Sequence, residues 1–253
     1  METKTVEKRL EDEQKFHNEI FENETRKSVG KFYSINKNIH KTYENLIFKN
    51  PKEKVFLEYG CGMAEGNRLV KLAKKGAVAH GIDISDFAIN HLSQEAKKEG
   101  LDIDYKVMNA EEMTFEDNRF DIIYGAGILH HLDLEKSYQS ISKKLKKSGE
   151  AIFIEPLGHN YLINNFRNKT PDIRTEDEHP LMMEDFKLAK KYFGKVKIQH
   201  FFLSTLALPI LFKSKSPKFL IDFFDGFDKV IFTVLPFLKK YSWQVVVRFS
   251  DPK

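Results

Sequence analysis

The chain has 253 residues, 41% of them hydrophobic and 31% charged, as expected of a folded domain with a sizeable core and a well-solvated surface. Its 41 basic and 37 acidic residues leave a formal charge of +4 with the lysines scattered, which disfavours nucleic acid as a partner because no basic stripe forms. Cys61 is the single cysteine, so an internal disulfide is excluded. No apolar run of about 18 residues marks a spanning helix, and residues 1–30 lack a secretory apolar core. A cytoplasmic protein is expected.

Residues 1–30 carry a weak helical periodicity through Leu10, Phe16, Ile20 and Phe21. Residues 31–50 repeat it more strongly through Tyr33, Ile35, Ile39, Tyr43, Leu46, Ile47 and Phe48, until Pro51 stops it. Residues 1–50 are therefore predicted to be helices laid as a lid on a domain spanning 51–253. From Lys54 onward short apolar runs alternate with helical stretches. Strands are predicted at 55–59, 77–83, 103–108, 120–124 and 150–155, with helices at 66–75, after Ser85 as far as Gly100, and at 137–145. Such alternation implies a doubly wound α/β fold with a mostly parallel sheet. Residues 156–181 read as a polar loop. A helix at 183–192 follows, then strands at 195–203 and 243–249, which complete seven. Between those last strands lies an apolar insertion, residues 204–241, predicted to be helical and kinked at Pro209 and Pro236.

Function is carried by Leu57-Glu58-Tyr59-Gly60-Cys61-Gly62-Met63-Ala64-Glu65-Gly66. Glycines just after a strand let the backbone turn sharply and approach a ligand closely. Asp83 ends the next strand about 20 residues on, where an acid can accept both ribose hydroxyls of an adenosine. A dinucleotide fingerprint would need a third glycine where Glu65 stands, and Glu58 and Glu65 would sit badly beside a pyrophosphate.

Taken in order, Glu58-Tyr59-Gly60-Cys61-Gly62, Gly81-Ile82-Asp83-Ile84-Ser85, Asn109-Ala110-Glu111, and Phe120-Asp121-Ile122-Ile123-Tyr124 leading to Leu129-His130-His131-Leu132 resemble the small-molecule branch of class I methyltransferases that use S-adenosylmethionine (SAM), the group of ubiquinone- and sterol-type enzymes. The resemblance covers roughly residues 53–156. It implies the seven-stranded Rossmann-like fold of that family, SAM as cofactor, and methyl transfer to a small, lipophilic O or N nucleophile. It further implies that Gly60 and Gly62 pass under the methionine part, where Glu58 suits the cationic amino end. Asp83 with Ile84 would hold the ribose, Asn109 with Ala110 and Glu111 would face the adenine, and Gly125 would line the sulfonium. Tyr33 from the lid is the expected aromatic neighbour. Two departures stand out: Ala64 replaces a glycine, and Asn109 replaces the usual acid, though its amide oxygen can still accept from the adenine amino group.

A hydroxyl acceptor needs a base, normally a histidine or carboxylate, whereas an amine needs only its neutral form. The candidates follow strands four and five, where ligands of open α/β sheets bind. His159 and His179 are the expected bases and His130 a third, against a reading in which the His130-His131 pair packs and caps a helix start. His131, Glu155, Asn160, Arg174 and Glu178 are expected on the acceptor side. No motif fixes a metal geometry, so none is expected. The Asn/Asp-Pro-Pro-aromatic signature of base methylation is absent. For the insertion two readings stay open: a hydrophobic cap or membrane-interface helix pair, or an ordinary core helix or homodimer contact. Two rival functions remain, a catalytically silent SAM-binding module and another adenosine-nucleotide-binding enzyme.

Overall fold

Seven strands form one sheet in this computed structural model, which describes residues 6–23, 32, 34–63, 67–170, 178–212 and 216–253. They are β1 (Val55–Tyr59), β2 (Val78–Asp83), β3 (Ile103–Val107), β4 (Phe120–Ala126), β5 (Leu145–Pro156), β6 (Phe193–Phe201) and β7 (Gln244–Pro252). Their order is β3-β2-β1-β4-β5-β7-β6. Pairings from β3 through β5 are parallel, while β7 runs antiparallel to both β5 and β6. The order reverses between β1 and β4, which opens a crevice at the carboxyl ends of those two strands.

Side chains alternate across the sheet with period two. Leu57, Ile123, Phe153 and Val247 enter one core, and their neighbours Phe56, Tyr124, Ile152 and Val246 enter the other. Burial on both faces explains why these strands read as unbroken apolar runs. The helices are α1 (Val6–Asn23), α2 (Lys37–Ile47), α3 (Arg68–Ala73), α4 (Asp86–Lys98), α5 (Leu134–Lys144), α6 (Tyr161–Asn168), α7 (Met183–Ala189), α8 (Ala207–Leu211) and α9 (Lys218–Val234). Ser85 caps α4 by accepting from the Ala88 amide at 3.1 Å, and Lys97 and Lys98 lie in its last turn, as its cap signals predict. Helix α5 begins earlier than its apolar pattern suggests, because Asp133 caps it through the Lys136 amide.

Two segments differ from their sequence reading. The predicted loop 156–181 contains α6, capped by Asn160 through the Ile163 amide at 3.1 Å. Ile163 is buried there, and the Phe166 ring meets Phe32 edge-on with centroids 5.0 Å apart, so a single apolar face suffices to fix a short helix. The two helices of the expected lid also part company. Helix α2 packs into the second core through Ile39, Tyr43 and Ile47, and the Tyr43 hydroxyl donates to the Gly125 carbonyl at 2.8 Å.

The insertion 204–241 forms α8, α9 and a 3-10 turn, Pro236–Tyr241. Its aspartates tie it to the body. Asp228 is buried and accepts from the Leu203 and Ser204 amides at 2.9 and 2.8 Å and from the Ser204 and Thr205 hydroxyls. Asp225 accepts from Asn38 of α2. Replacing Asp228 by Ala strands several buried donors at once and should cost about 2–4 kcal/mol. The expected result is a Tm lowered by roughly 5–15 °C, read by circular dichroism on Asp228→Ala.

Candidate active site

The floor of the crevice is the turn after β1. Gly60 (φ 71°) and Gly62 (φ 47°) both lie in the left-handed region, which a side chain would strain. The Gly60 and Cys61 amides both donate to the Ile82 carbonyl at 2.9 Å. A Cβ on Gly60 would come within 2.7 Å of Ile128, and one on Gly62 within 3.2 Å of the Phe21 ring. At the end of β2 the buried Asp83 carboxylate accepts from the Gly62 amide at 2.7 Å and the Ser85 amide at 2.9 Å. Burial raises its pKa against the pull of those two amides.

Glu58, on β1, is also buried, and its Oε2 has no hydrogen-bond partner. Desolvation raises its pKa to about 7, opposed chiefly by the nearby Arg68 guanidinium. The Tyr124 hydroxyl stands beside this carboxyl without meeting hydrogen-bond geometry. Glu58, Arg68, Asp83 and the glycine turn line one cavity of about 460 Å³. Its other wall is Met108, Asn109, Ala110, Ala126, Gly127, Ile128 and His131. Gly125 is not part of that wall; its carbonyl is held by Tyr43 behind it. The Asn109 side-chain oxygen accepts from the Glu111 amide at 2.9 Å, and buried Glu111 accepts from Arg9 and from the Asp133 amide. Ile84 lines the cavity, whereas Glu111 braces it from outside.

Helix α1 roofs the cavity with Arg9, Leu10, Glu13, His17, Ile20 and Phe21. It is anchored by polar contacts: Arg9 to Glu111, Gln14 to the Ile84 carbonyl at 2.8 Å, and Asn18 to Asp86 at 2.8 Å. The Glu13 carboxylate lies 3.3 Å from His17 Nε2 and 3.9 Å from His131 Nδ1. The three groups offer ligand atoms within 4.8 Å of one another, as do His130, His131 and Glu178.

Of the expected acceptor-side residues, His131 lines the cavity and His130, Glu155 and Glu178 meet behind it, while the other described ones lie elsewhere. His130 is buried, with Nδ1 2.7 Å from Glu155 and Nε2 3.7 Å from Glu178. The other Glu155 oxygen accepts from the Ile128 and Leu129 amides, and Glu178 is paired with Arg167 at 2.7 Å. This chain of charges holds the segment after β4 in place behind the cavity wall. Neither His159 nor His179 lines the cavity. His159 Nε2 accepts from the Met183 amide at 3.3 Å, so the ring serves the start of α7, and His179 is exposed. Asn160 is occupied as the α6 cap and as a donor to the Tyr241 carbonyl at 2.6 Å. Tyr33 and Arg174 lie outside the described residues. No described residue of 204–241 lines the cavity. Sequence reasoning missed Arg9, Glu13, His17 and Arg68. The available signal was the spacing of Glu13 and His17 at i and i+4, which puts both on one helix face.

Residues 57–153 match the family described as "Methyltransferase domain". Ubiquinone biosynthesis O-methyltransferase of Coxiella burnetii is 33% identical over 104 residues, covering 40% of this chain and 43% of the relative. The Rhizobium etli enzyme of the same name is 31% identical over 99 residues, covering 39% of each. The match thus spans less than half of these curated relatives. Among solved structures, Haemonchus contortus phosphoethanolamine N-methyltransferase 2 in complex with S-adenosyl-L-methionine superposes with a TM-score of 0.62 at 18% identity, covering 92% of this chain and 60% of that one. Geranyl diphosphate C-methyltransferase of Streptomyces coelicolor A3(2) gives 0.57 at 11% identity, over 85% and 75%. At such identities the likeness is one of fold.

The raised pKa of Glu58 has a consequence for stability. A carboxyl with a pKa of about 7 when folded and an ordinary value when unfolded stabilises the fold fully below the unfolded value. That contribution is lost as pH rises through about 7, and amounts to about 3 kcal/mol at most. Ligand-free protein should therefore become less stable between about pH 4.5 and 7. Glu58→Gln should flatten that part of the profile when urea midpoints are compared across pH.

Proposed function

This chain carries a class I SAM-dependent methyltransferase domain over residues 57–153, and on that premise we propose that it methylates a hydroxyl group of a small, lipophilic molecule. The observation that carries the cofactor half of the reading is the unpartnered, buried carboxylate oxygen of Glu58 beside a turn whose glycines have positive φ and, at Gly60, no room for a Cβ. A buried acid without a partner is costly, and an ammonium group seated there removes that cost. SAM fits this donor set. Glu58 would take its amino group and Arg68 its carboxylate, with Gly60 and Gly62 passing beneath. Asp83 keeps lone pairs beyond those used by Gly62 and Ser85 and would accept from the ribose hydroxyls, next to Ile84. Asn109 and Ala110 would meet the adenine edge. Glu111 and Gly125 act at one remove, the first by holding Arg9 and the second by holding Tyr43. Once bound, SAM supplies an electrophilic methyl group on a sulfonium.

The chain itself orients the partners and excludes water, the dominant contributions in a displacement of this kind. Helix α1 supplies the roof and acts as a lid. A base is proposed at His131, because it stands in the cavity wall while His159 and His179 do not. His131 would take the acceptor's proton, and Glu13, 3.9 Å from Nδ1, would stabilise the imidazolium so formed. His17, on the other side of Glu13, completes the cluster. His130 positions His131 through its own bond to Glu155. The relatives named as O-methyltransferases support an oxygen nucleophile over nitrogen. Lipophilicity is supported by Leu10, Ile20, Phe21, Ile128 and Leu132 in the lining.

Asp83→Ala removes a charged acceptor of two hydrogen bonds and should weaken binding of SAM and of S-adenosylhomocysteine about 30–150-fold. Unchanged affinity in calorimetry contradicts the assignment. The base is tested with radiolabelled SAM and a panel of phenols, quinols and amines. His131→Ala should lower kcat about 10²–10⁴-fold with little change in SAM affinity, while His159→Ala stays within a few-fold of wild type. Equal rates in both variants would shift the reading to an amine acceptor that needs no base.

A further inference from the structure

Helix α9 is apolar on two sides, and the fold uses only one of them. Ile221 and Phe232 are buried against the body, together with Asp225 and Asp228, whose partners are Asn38, Ser204 and Thr205. On the far side Phe219 (71% exposed), Phe223 (65%), Phe227, Val230 and Val234 face solvent. Their spacing of four, four, three and four residues draws one straight stripe along the helix. The stripe runs on into Leu235 and Phe237 (64%) of the following turn, and Ile210 and Leu211 of α8 are exposed as well. Single exposed apolar residues are ordinary, but a contiguous aromatic stripe of this length marks a contact surface.

Charge decides what covers it. Lys218 and Lys229 are exposed on the flank of the helix, the latter near enough to Asp225 to act on its carboxyl, Lys240 is exposed in the turn that follows, and Lys239 is half-buried. No described residue forms a salt bridge with any of the four; the Lys240 ammonium lies 4.9 Å over the Tyr241 ring. Of the three acids on the helix, Asp225 and Asp228 are buried, and exposed Asp222 accepts from Asn38 at 3.0 Å. The rim is therefore net positive. Two copies meeting through this face would set one positive rim against another, since a two-fold contact uses the same patch on both. An anionic bilayer satisfies both features together, taking the aromatic stripe at the acyl boundary and the lysines among its headgroups. We propose that the outer face of α9 and the turn after it dock this protein on anionic lipid bilayers. No described helix is long and apolar enough to cross a membrane, so α9 lies in the plane of the surface.

Flotation of the full chain with vesicles of phosphatidylcholine, with and without phosphatidylglycerol, tests this independently of any methyl transfer. The protein should float with the anionic vesicles, less so as salt is raised. Phe219→Ser with Phe223→Ser should reduce partitioning at least about tenfold. Lys229→Glu and Lys240→Glu should each reduce it about fivefold or more. All these side chains are exposed, so unchanged circular dichroism and melting are expected and keep the comparison valid. Absence of flotation, or flotation unaffected by the phenylalanine changes, overturns the proposal. A dimer in sedimentation that Phe223→Ser dissociates, with no vesicle binding, overturns it in favour of a second copy of the chain.

Discussion

The crevice depends on a small knot of hydrogen bonds from backbone amides at the end of β1 to the Ile82 carbonyl and the Asp83 carboxylate at the end of β2. One carbonyl, that of Ile82, receives the amides of both Gly60 and Cys61, and the next residue, Asp83, receives the amide of Gly62. These bonds fold the chain tightly after β1 and hold an acid at the tip of β2. They are possible only because positions 60 and 62 have positive φ and no Cβ. The floor and one side of the cavity follow from this arrangement. So does the burial of Glu58, which is trapped beneath the turn with one oxygen unsatisfied. The protein thus keeps a desolvated acid at some cost to its own stability, the pattern of a group held ready for a ligand.

The roof obeys different physics. Helix α1 meets the body through Arg9, Gln14 and Asn18, and turns Glu13 and His17 inward over the cavity. Leu10, Ile20 and Phe21 share that inward side, so the roof gives the chamber apolar surface as well as charge. Its attachment to Glu111 and Asp86 places the roof over both ends of the proposed cofactor site. It also brings a carboxylate and an imidazole to His131 that the sheet alone does not provide.

What the sequence made legible follows from this contrast. The β–α alternation, the seven strands, the Ser85 cap and the residues of the glycine turn rest on local rules, and the structure places them where those rules predict. The helix at 161–168 was hidden because its signal is one cap, Asn160, and one buried face around Ile163. The apolar stripe of α1 was legible, and its Leu10, Ile20 and Phe21 line the cavity, but apolar periodicity carries no sign of Arg9, Glu13 and His17 on that same inward side. His159 and His179 follow the right strand in sequence, yet His159 Nε2 is drawn to the Met183 amide and His179 stays outside. Distance along a loop says nothing about which way a ring turns. In the insertion Asp225 and Asp228 point inward while Phe219, Phe223 and Phe227 face outward, an orientation that apolar composition alone does not encode.

In the proposed function Glu58 is the buried acid that would receive the amino end of SAM. Titration of S-adenosylhomocysteine by calorimetry at pH 7, in two buffers of different ionisation enthalpy, tests this directly. A cation brought against a carboxyl whose pKa is about 7 pulls that pKa down, so binding should release roughly half a proton. In Glu58→Gln the release should vanish and the affinity should fall, while NAD shows no binding to either protein. Tight binding with no proton released, or the same release from the Gln variant, would contradict the role assigned to Glu58.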